Sequence, residues 1–362
     1  MAKKRRKENV VKELLSIGGF CLLMVVILFV ISPIFVPKWT TGDDNHNTQI
    51  VRGLYAERVN SLDVLFLGNS DMYRGVIPIE LWNEYGMAAY AYTSPGQRIW
   101  TGYYTMLDAL QYQHPKVVVF NVDGINKENL SSDGINHKTF DNMKMSVTKL
   151  QALNDDAFEF SFSKKLAYVF PVLAFHSRLA ELNADDLKYA YGYEIFPEKG
   201  YDMIAGAEAY NGGDSYMADK GESYEIPEKP RRYLDKIVEL AQKKNIKLVL
   251  VENPSADSWS LAKSQAMQEY AQEKNVDFID LNLKLNEIGL DWTEDTPDGG
   301  DHLNYSGAYK VTKFYGNYLH EKYDLPDRRK DAKYASWDRA SEEYQEDKEV
   351  LIRASLPAYI TW

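Results

Sequence analysis

The chain has 362 residues and a formal net charge of −11, which is unevenly distributed. Residues 2–13 contain six basic and two acidic side chains, a net of +4, so the remainder carries −15. An acidic body excludes nucleic acid as the expected partner, because phosphate contacts need an excess of Lys and Arg. The single cysteine, Cys21, excludes disulfides and thiolate chemistry outside the N-terminal segment.

Residues 14–36 contain no charged side chain, and a helix of this length crosses a bilayer. The basic residues before it predict a cytoplasmic N-terminus. A cleaved signal peptide would have a shorter apolar region ending in small residues, and the sequence around Pro33 is not of that kind. We therefore predict a cytoplasmic segment at 1–13, a single-pass anchor in the cell membrane at 14–36, and an extracellular body.

The body begins with a predicted polar stalk at 37–60, which includes a short helix before the first strand. Strands and helices then alternate, which implies a parallel sheet covered on both faces. The predicted strands are 64–67, 87–92, 116–122, 246–252 and 276–281, and the predicted helices are 79–85, 101–113, 232–244, 261–274 and 306–323. We expect a three-layer α/β/α domain at 61–323 with a mainly parallel five-stranded sheet.

Two segments do not follow this alternation. Residues 125–228 contain helical pieces and a stretch rich in Gly, Tyr and Asp, and an insertion of that length is typically a lid, a binding surface or a disordered segment. Residues 324–362 form a charged C-terminal tail, whose middle is predicted to be a solvated helix.

Ser70 directly follows the first predicted strand and a Gly-Asn turn. Ligands of open α/β sheets bind outside the carboxyl ends of the strands, so a hydroxyl at this position is well placed to act as a nucleophile. A serine at the start of a helix is also a favoured N-cap. This residue alone does not distinguish the two roles.

His302 lies on a glycine-containing loop before the last predicted helix, with Asp298 and Asp301 beside it and Ser306 as the expected N-cap. A catalytic triad needs a carboxylate that holds the imidazole ring. We prefer Asp298 because adjacent residues tend to point apart, and Asp301 stays an alternative.

Ser70 and His302 are 232 residues apart in sequence. In a parallel sheet, however, the end of the first strand and the start of the last helix fall at the same edge. Gly96, in the turn after the second predicted strand, falls there too. The three positions together predict a serine-dependent active site at this edge.

These blocks resemble those of the SGNH/GDSL hydrolase superfamily: the glycine-x-serine at 68–70, the glycine turn at Gly96, Asn121 at the end of the third strand, and the Asp/His loop. More closely, the chain is similar to membrane-anchored members that act in cell-envelope O-acylation. These include D-alanylation proteins of the Dlt type and alginate acetylation proteins of the AlgJ/AlgX type. The resemblance covers roughly residues 60–125 and 230–323.

The resemblance implies roles for these residues. Ser70 would be the nucleophile, His302 the general base and Asp298 its orienting acid. The backbone amides of Ser70 and Gly96, with the side chain of Asn121, would form the oxyanion hole.

The sequence departs from the family pattern at three places. Asn69 stands where an aspartate is usual before the serine. The third block reads Phe-Asn-Val-Asp-Gly, which leaves Asp123 as an alternative to Asn121. The spacing between the acid and His302 is one residue longer than usual, which keeps Asp301 as the alternative acid.

The resemblance implies transfer of an O-acyl group, with acetyl expected, to an envelope polysaccharide or a teichoic-acid-like polymer of a Gram-positive bacterium. A membrane-bound O-acyltransferase is the expected partner. An esterase with the same triad and a catalytically silent scaffold of an O-acylation complex are the alternatives. The sequence has no phosphate-binding glycine loop and no zinc motif, so we predict no cofactor and no metal.

Overall fold

The structure is a computed structural model, and it describes residues 2–38, 45–127, 129 and 131–355. Its strands are β1 (Val64–Leu67), β2 (Ala89–Ala91), β3 (Val117–Asn121), β4 (Lys247–Glu252) and β5 (Asp277–Asp280). Its helices are α1 (Ala2–Ile31), α2 (Asn45–Gly53), α3 (Ser70–Gly75), α4 (Pro78–Tyr85), α5 (Ile99–Ala109), α6 (Asp133–Phe140), α7 (Val147–Asn154), α8 (Phe162–Val169), α9 (Val172–Phe175), α10 (Ala184–Tyr191), α11 (Glu228–Lys244), α12 (Leu261–Lys274), α13 (Leu285–Ile288), α14 (Tyr305–Lys322) and α15 (Ala335–Ser355).

The strands form one five-stranded sheet in the order β2-β1-β3-β4-β5, and all four pairings are parallel. In the first of them, Val64 of β1 lies opposite Ala89 of β2. Every residue of β1, β2 and β3 is buried, which is why these strands are continuous apolar runs and not alternating ones. The predicted α/β fold with its parallel five-stranded sheet is confirmed. All carboxyl ends therefore lie at one edge.

The ends of α11 and α12 have residues that favour helix capping. α11 and α12 both end at an asparagine in the left-handed conformation, Asn245 and Asn275, which asparagine tolerates better than most residues. Ser260 caps α12 by accepting a hydrogen bond from the amide of Lys263. Each helix thus ends two residues before the strand that follows it.

The region predicted at 37–60 as a polar stalk with a short helix does contain a helix, but that helix is buried in the body. From Asn45 onward it is the helix α2, whose Ile50 and Val51 are fully buried, and Leu54 just after it is buried as well. This part therefore belongs to the core of the body. Residues 39–44 lie outside the described residues.

The chain divides into two compact units. One consists of the N-terminal segment to Lys38 together with Phe160–Gly192, and the other contains the rest of the chain, including the sheet. The predicted insertion at 125–228 is therefore split between them. Its first part carries α6 and α7 in the larger unit, its middle carries α8, α9 and α10, and its last part returns to the larger unit.

The smaller unit contains α1, which continues as a 3-10 helix at Ser32–Phe35. Within it, Asn9–Phe35 is long and apolar enough to cross a membrane. The predicted anchor at 14–36 overlaps this stretch. Its apolar side chains are exposed, as expected of a helix whose surroundings are lipid.

The tail predicted at 324–362 belongs to the larger unit and makes contacts with the rest of that unit up to Lys348. Arg328 makes two hydrogen bonds to the carboxylate of Asp63, at 2.8 and 3.1 Å. On α15, Trp337 packs on Trp82 with ring centroids 5.3 Å apart, and Tyr344 is fully buried. The charged residues form only the outer face of this helix, so it is not a solvated segment. Residues 356–362 lie outside the described part of the chain.

Candidate active site

Ser70 lies at the first position of α3, where β1 leaves the sheet, and it is half-buried. The N-cap of α3 is the preceding residue: the side chain of Asn69 accepts a hydrogen bond from the amide of Asp71 at 3.2 Å. Capping, the alternative role considered for Ser70, is therefore performed by its neighbour. The Ser70 hydroxyl is not needed for the helix end.

Gly68 makes the sharp exit from β1 possible. Its φ is +151°, and a Cβ at this position would lie 2.7 Å from the Cβ of Asn121 on the neighbouring strand. Only a residue without a side chain fits both constraints. The turn therefore brings the start of α3 close against the end of β3.

A buried asparagine after β4 holds α3 in place. Asn253 donates from Nδ2 to the backbone carbonyl of Asp71 at 2.7 Å, and its Oδ1 accepts from the hydroxyl of Tyr315 at 2.6 Å. Both side chains are fully buried. A hydrogen-bonded polar pair in the core specifies one position for the helix that carries Ser70.

The structure brings His302 and Asp298 together. Nδ1 of His302 lies 2.6 Å from Oδ2 of Asp298, and the backbone amide of His302 donates to Oδ1 of the same carboxylate at 2.9 Å. Asp301 also approaches the ring, with its Oδ2 at 3.3 Å from Nδ1. The glycine-containing loop thus folds back so that the acid four residues earlier holds the imidazole.

The two acids differ in their electrostatics. Burial works against the charge of Asp298, but hydrogen bonds from the amide and ring of His302 outweigh it and hold the pKa of that carboxyl below its usual value. Burial raises the pKa of Asp301, and repulsion from Asp298 adds to the effect. Asp298 is therefore the acid better suited to hold the ring as a carboxylate.

The loop that carries His302 is tied down by Asn304. This residue, and not the predicted Ser306, is the N-cap of α14, because its side-chain oxygen accepts from the amide of Gly307. Its Nδ2 donates at 2.7 Å to the carbonyls of Gly206 and Glu294. Ser306 is exposed.

The free side of the imidazole faces α3. Nε2 of His302 lies 3.9 Å from Oδ1 of Asp71, the residue after Ser70. Within the described residues, the hydroxyl of Ser70 makes no hydrogen bond to His302. Catalytic hydrogen bonds are often long in unliganded sites, so the missing bond does not exclude His302 as the base for Ser70.

Gly96 lies on the loop after β2, with φ at +52°. This loop reaches the exit of β1, because the amide of Ser94 donates to the carbonyl of Gly68 at 3.3 Å. In the described part of the chain, the backbone N–H groups of Ser70 and Gly96 donate no hydrogen bond. Two unused amide donors are thus available near this strand edge.

Asn121 is placed differently from its predicted role. Its Nδ2 donates to Oε2 of Glu252 at 3.4 Å, and its Oδ1 accepts from the amide of Asp123 at 3.2 Å. The side chain is buried and its amide is engaged with the neighbouring strand. Asn121 therefore joins β3 to β4 through its side chain, and its amide is not available as an oxyanion-hole donor in this structure.

A cluster of buried acids lies under the site. Oxygen atoms of Asp71, Asp123 and Glu252 lie within 4.8 Å of one another, a donor set that could hold a hard divalent cation. Lys127 already supplies a positive charge there, with Nζ 2.6 Å from Oδ2 of Asp123. Burial, together with the charge of Asp123, raises the pKa of both Asp71 and Glu252 well above the usual values.

Arg74 is a residue of the site that the sequence analysis did not identify. It lies one helical turn after Ser70, with its Nε 3.5 Å from Asp202 and its Nη1 3.9 Å from Oδ2 of Asp298. Its charge favours the ionised form of Asp298. The sequence does contain a signal for Arg74, because a residue four positions after Ser70 lies on the same face of a helix.

No protein-family model and no curated protein matches the chain. Among solved structures, it is similar to a protein of Bacteroides fragilis described as a candidate acylhydrolase, with 11% sequence identity over 73% of this chain and 90% of that one. The TM-score of this pair is 0.33. At these values, no activity or residue role transfers to this chain.

Proposed function

We propose that this chain is a serine-dependent enzyme acting on esters, in which Ser70 carries an acyl group. The observation that supports this most is the Asp298–His302 pair, whose free ring nitrogen faces the turn that begins with Ser70. Asn69 caps α3, so the Ser70 hydroxyl is not committed to the end of the helix. Acyl transfer needs a nucleophile, a base and an orienting acid. Here the nucleophile follows β1, and the base and the acid share the loop before α14.

In the proposed reaction, Oγ of Ser70 attacks the acyl carbonyl of the donor while Nε2 of His302 takes its proton. The backbone amides of Ser70 and Gly96 stabilise the resulting oxyanion. The donor alcohol or thiol then leaves with the proton from His302. In the second half, an acceptor hydroxyl loses its proton to His302 and attacks the carbonyl of the acyl-serine. The bond to Oγ of Ser70 breaks, His302 returns the proton to Oγ, and the product ester leaves.

We infer that the acceptor is a hydroxyl of an envelope polysaccharide or a teichoic-acid-like polymer, and that the acyl group is acetyl. The apolar stretch Asn9–Phe35 supports transfer, because a fixed site beside a membrane-derived donor suits a transferase. In this proposal the basic segment is cytoplasmic, the catalytic domain is extracellular, and a membrane-bound O-acyltransferase supplies the acyl group. The alternative is an esterase, in which water takes the place of the acceptor.

The experiment is labelling of the full-length chain in detergent with a fluorophosphonate probe. We expect labelling of the unmodified protein and none of Ser70→Ala or His302→Ala. Ser306→Ala is the matched control, since Ser306 is exposed beside the same loop and should label normally. A folded protein that does not label would reject the nucleophile and favour a catalytically silent scaffold.

A second measurement separates transfer from hydrolysis. The protein is incubated with 4-nitrophenyl acetate, with and without a purified teichoic-acid-type or polysaccharide acceptor. A transferase places acetyl esters on the polymer and releases nitrophenol faster when the acceptor is present. An esterase releases free acetate at a rate that the polymer does not change.

A further inference from the structure

The smaller unit exposes large apolar side chains on α8 to α10. Five of them leave about half or more of their surface uncovered: Phe162 (76%), Leu173 (50%), Leu179 (70%), Leu187 (54%) and Tyr191 (53%). Five exposed apolar side chains of this size within 33 residues make the segment a candidate interaction surface. The segment is also rich in aromatic residues, with seven in Phe160–Gly192.

These helices are bonded to the end of the membrane-spanning stretch. The hydroxyl of Tyr191 donates to the backbone carbonyl of Val30. The guanidinium of Arg178 donates to the carbonyls of Phe35 and Val36, both at 2.8 Å. The contacts reach the last turns of Asn9–Phe35 and belong to the same unit.

The length of the apolar stretch determines where in the bilayer the residues that α8 to α10 contact are expected to lie. Its 27 residues extend about 40 Å as a helix, whereas the hydrocarbon core of a bilayer is about 30 Å thick. The charged residues Lys12 and Glu13 place its first turn in the opposite headgroup layer, and the remaining 22 residues, Leu14 to Phe35, extend about 33 Å. Phe35 is therefore expected at the outer boundary of the hydrocarbon core. Helices bonded to Val30, Phe35 and Val36 lie at that level.

The charges of the segment suit an interfacial position. The carboxylate of Asp186 is buried and bound by Arg178 at 2.8 Å and by Lys38 at 3.3 Å, so this acid does not face lipid headgroups. The segment has four basic and three acidic residues, in a chain that is otherwise strongly acidic. Apolar and aromatic side chains combined with basic ones are typical of helices that lie in a membrane surface.

We propose that α8, α9, α10 and the 3-10 helix at His176–Ala180 lie on the bilayer surface at the point where α1 leaves it. Phe162, Leu179 and Leu187 are then inserted among the headgroups. The occupant of this surface is lipid, because the surface continues from a stretch whose own surroundings are lipid. The inference rests on the membrane anchoring proposed above, and it is independent of the chemistry of Ser70.

The test places a fluorescent probe at single positions of the full-length chain. Cys21, the only cysteine, is first changed to serine. Phe162→Cys, Leu179→Cys and Leu187→Cys are labelled with an environment-sensitive dye and reconstituted into phosphatidylcholine–phosphatidylglycerol vesicles. Leu283→Cys is the matched control, because Leu283 is 59% exposed but belongs to the other unit.

We expect blue-shifted emission at the three test positions and quenching by lipids that carry a nitroxide near the headgroup. This quenching should be at least several-fold stronger than at position 283, and stronger than quenching by nitroxides near the bilayer centre. Probes that shift blue without quenching by lipid would identify a protein partner and overturn the proposal. Probes that stay water-exposed in vesicle-embedded protein would also overturn it.

Extraction with alkaline carbonate, on the same vesicles, tests the anchor separately. Protein released by carbonate would reject the anchoring and the surface together. Fluorophosphonate labelling of Ser70 is measured separately on the same vesicles. If the proposed membrane surface is wrong, the fluorescence result changes but the labelling does not, and if the enzyme proposal is wrong, the reverse holds.

Discussion

Asp298 holds His302 through two contacts at once, since one carboxylate oxygen lies 2.6 Å from the ring Nδ1 and the other accepts from the backbone amide at 2.9 Å. An acid bound to both the ring and the main chain of one histidine cannot rotate away from it without breaking both contacts. This pair therefore determines which way the free Nε2 points.

The first prediction compares the two acids. Asp298→Asn should lower kcat/KM for 4-nitrophenyl acetate by about 10³-fold, because an amide cannot stabilise the imidazolium that forms. Asp301→Asn should lower it by less than about tenfold, since Asp301 lies further from Nδ1. The opposite order would make Asp301 the orienting acid.

The second prediction concerns Gly68. Gly68→Ala should lower the free energy of unfolding by at least about 2 kcal/mol, because its φ is strained for alanine and the new Cβ would lie 2.7 Å from Asn121. Thermal unfolding of the detergent-solubilised chain measures this. Gly134→Ala is the control: it lies in α6 with nothing within 4 Å, so it should be neutral or slightly stabilising.

The third prediction assigns Arg74 a positioning role. Arg74→Gln should lower kcat about tenfold and leave KM nearly unchanged, because the guanidinium lies near Asp298 and supports its charge. Arg74→Lys should recover part of the loss. Arg231→Gln, which breaks an exposed pair with Glu273, should leave the kinetics unchanged. A large rise in KM alone would instead make Arg74 a substrate-binding residue.

The fourth prediction follows from Glu198, which is buried beside α15. Burial, with the negative charge of Asp347, raises the pKa of Glu198 to about 7. The folded state therefore keeps a proton that the unfolded chain releases from about pH 4.3 upward, so stability falls as the pH rises through this window. Between about pH 4.3 and pH 8 the free energy of unfolding should therefore fall by a few kcal/mol.

Glu198→Gln removes this loss of stability, because glutamine does not ionise. Its melting temperature should exceed that of the unmodified chain at pH 8 and match it at pH 4. Glu222→Gln, at an exposed position, should show no such dependence. A difference between Glu198→Gln and the unmodified chain that does not change with pH would contradict the prediction.

The strands and their adjoining helices could be predicted because their signals are local. The apolar run of β1 and the predicted helix at 261–274 are visible within a few residues, and α12 has those bounds. The common edge of Ser70 and His302 followed from parallel topology alone. Neither inference needed a side-chain contact.

The cap positions could not be predicted in the same way. Ser70 and Ser306 are both favoured cap residues, yet Asn69 and Asn304 perform the capping. The choice depends on the exit angle of the chain from the sheet or loop before it, and composition does not encode that angle.

The sequence by itself determined the order of elements, the apolar N-terminal stretch and the edge that carries the candidate site, because these depend on periodicity and chain direction. Only the tertiary structure decided that Asp298 binds the ring of His302 and that Asn121 is engaged with Glu252. It also decided that Phe160–Gly192 joins the N-terminal helix. These are contacts between residues distant in sequence or across a folded loop, and their geometry exists only once the chain has packed.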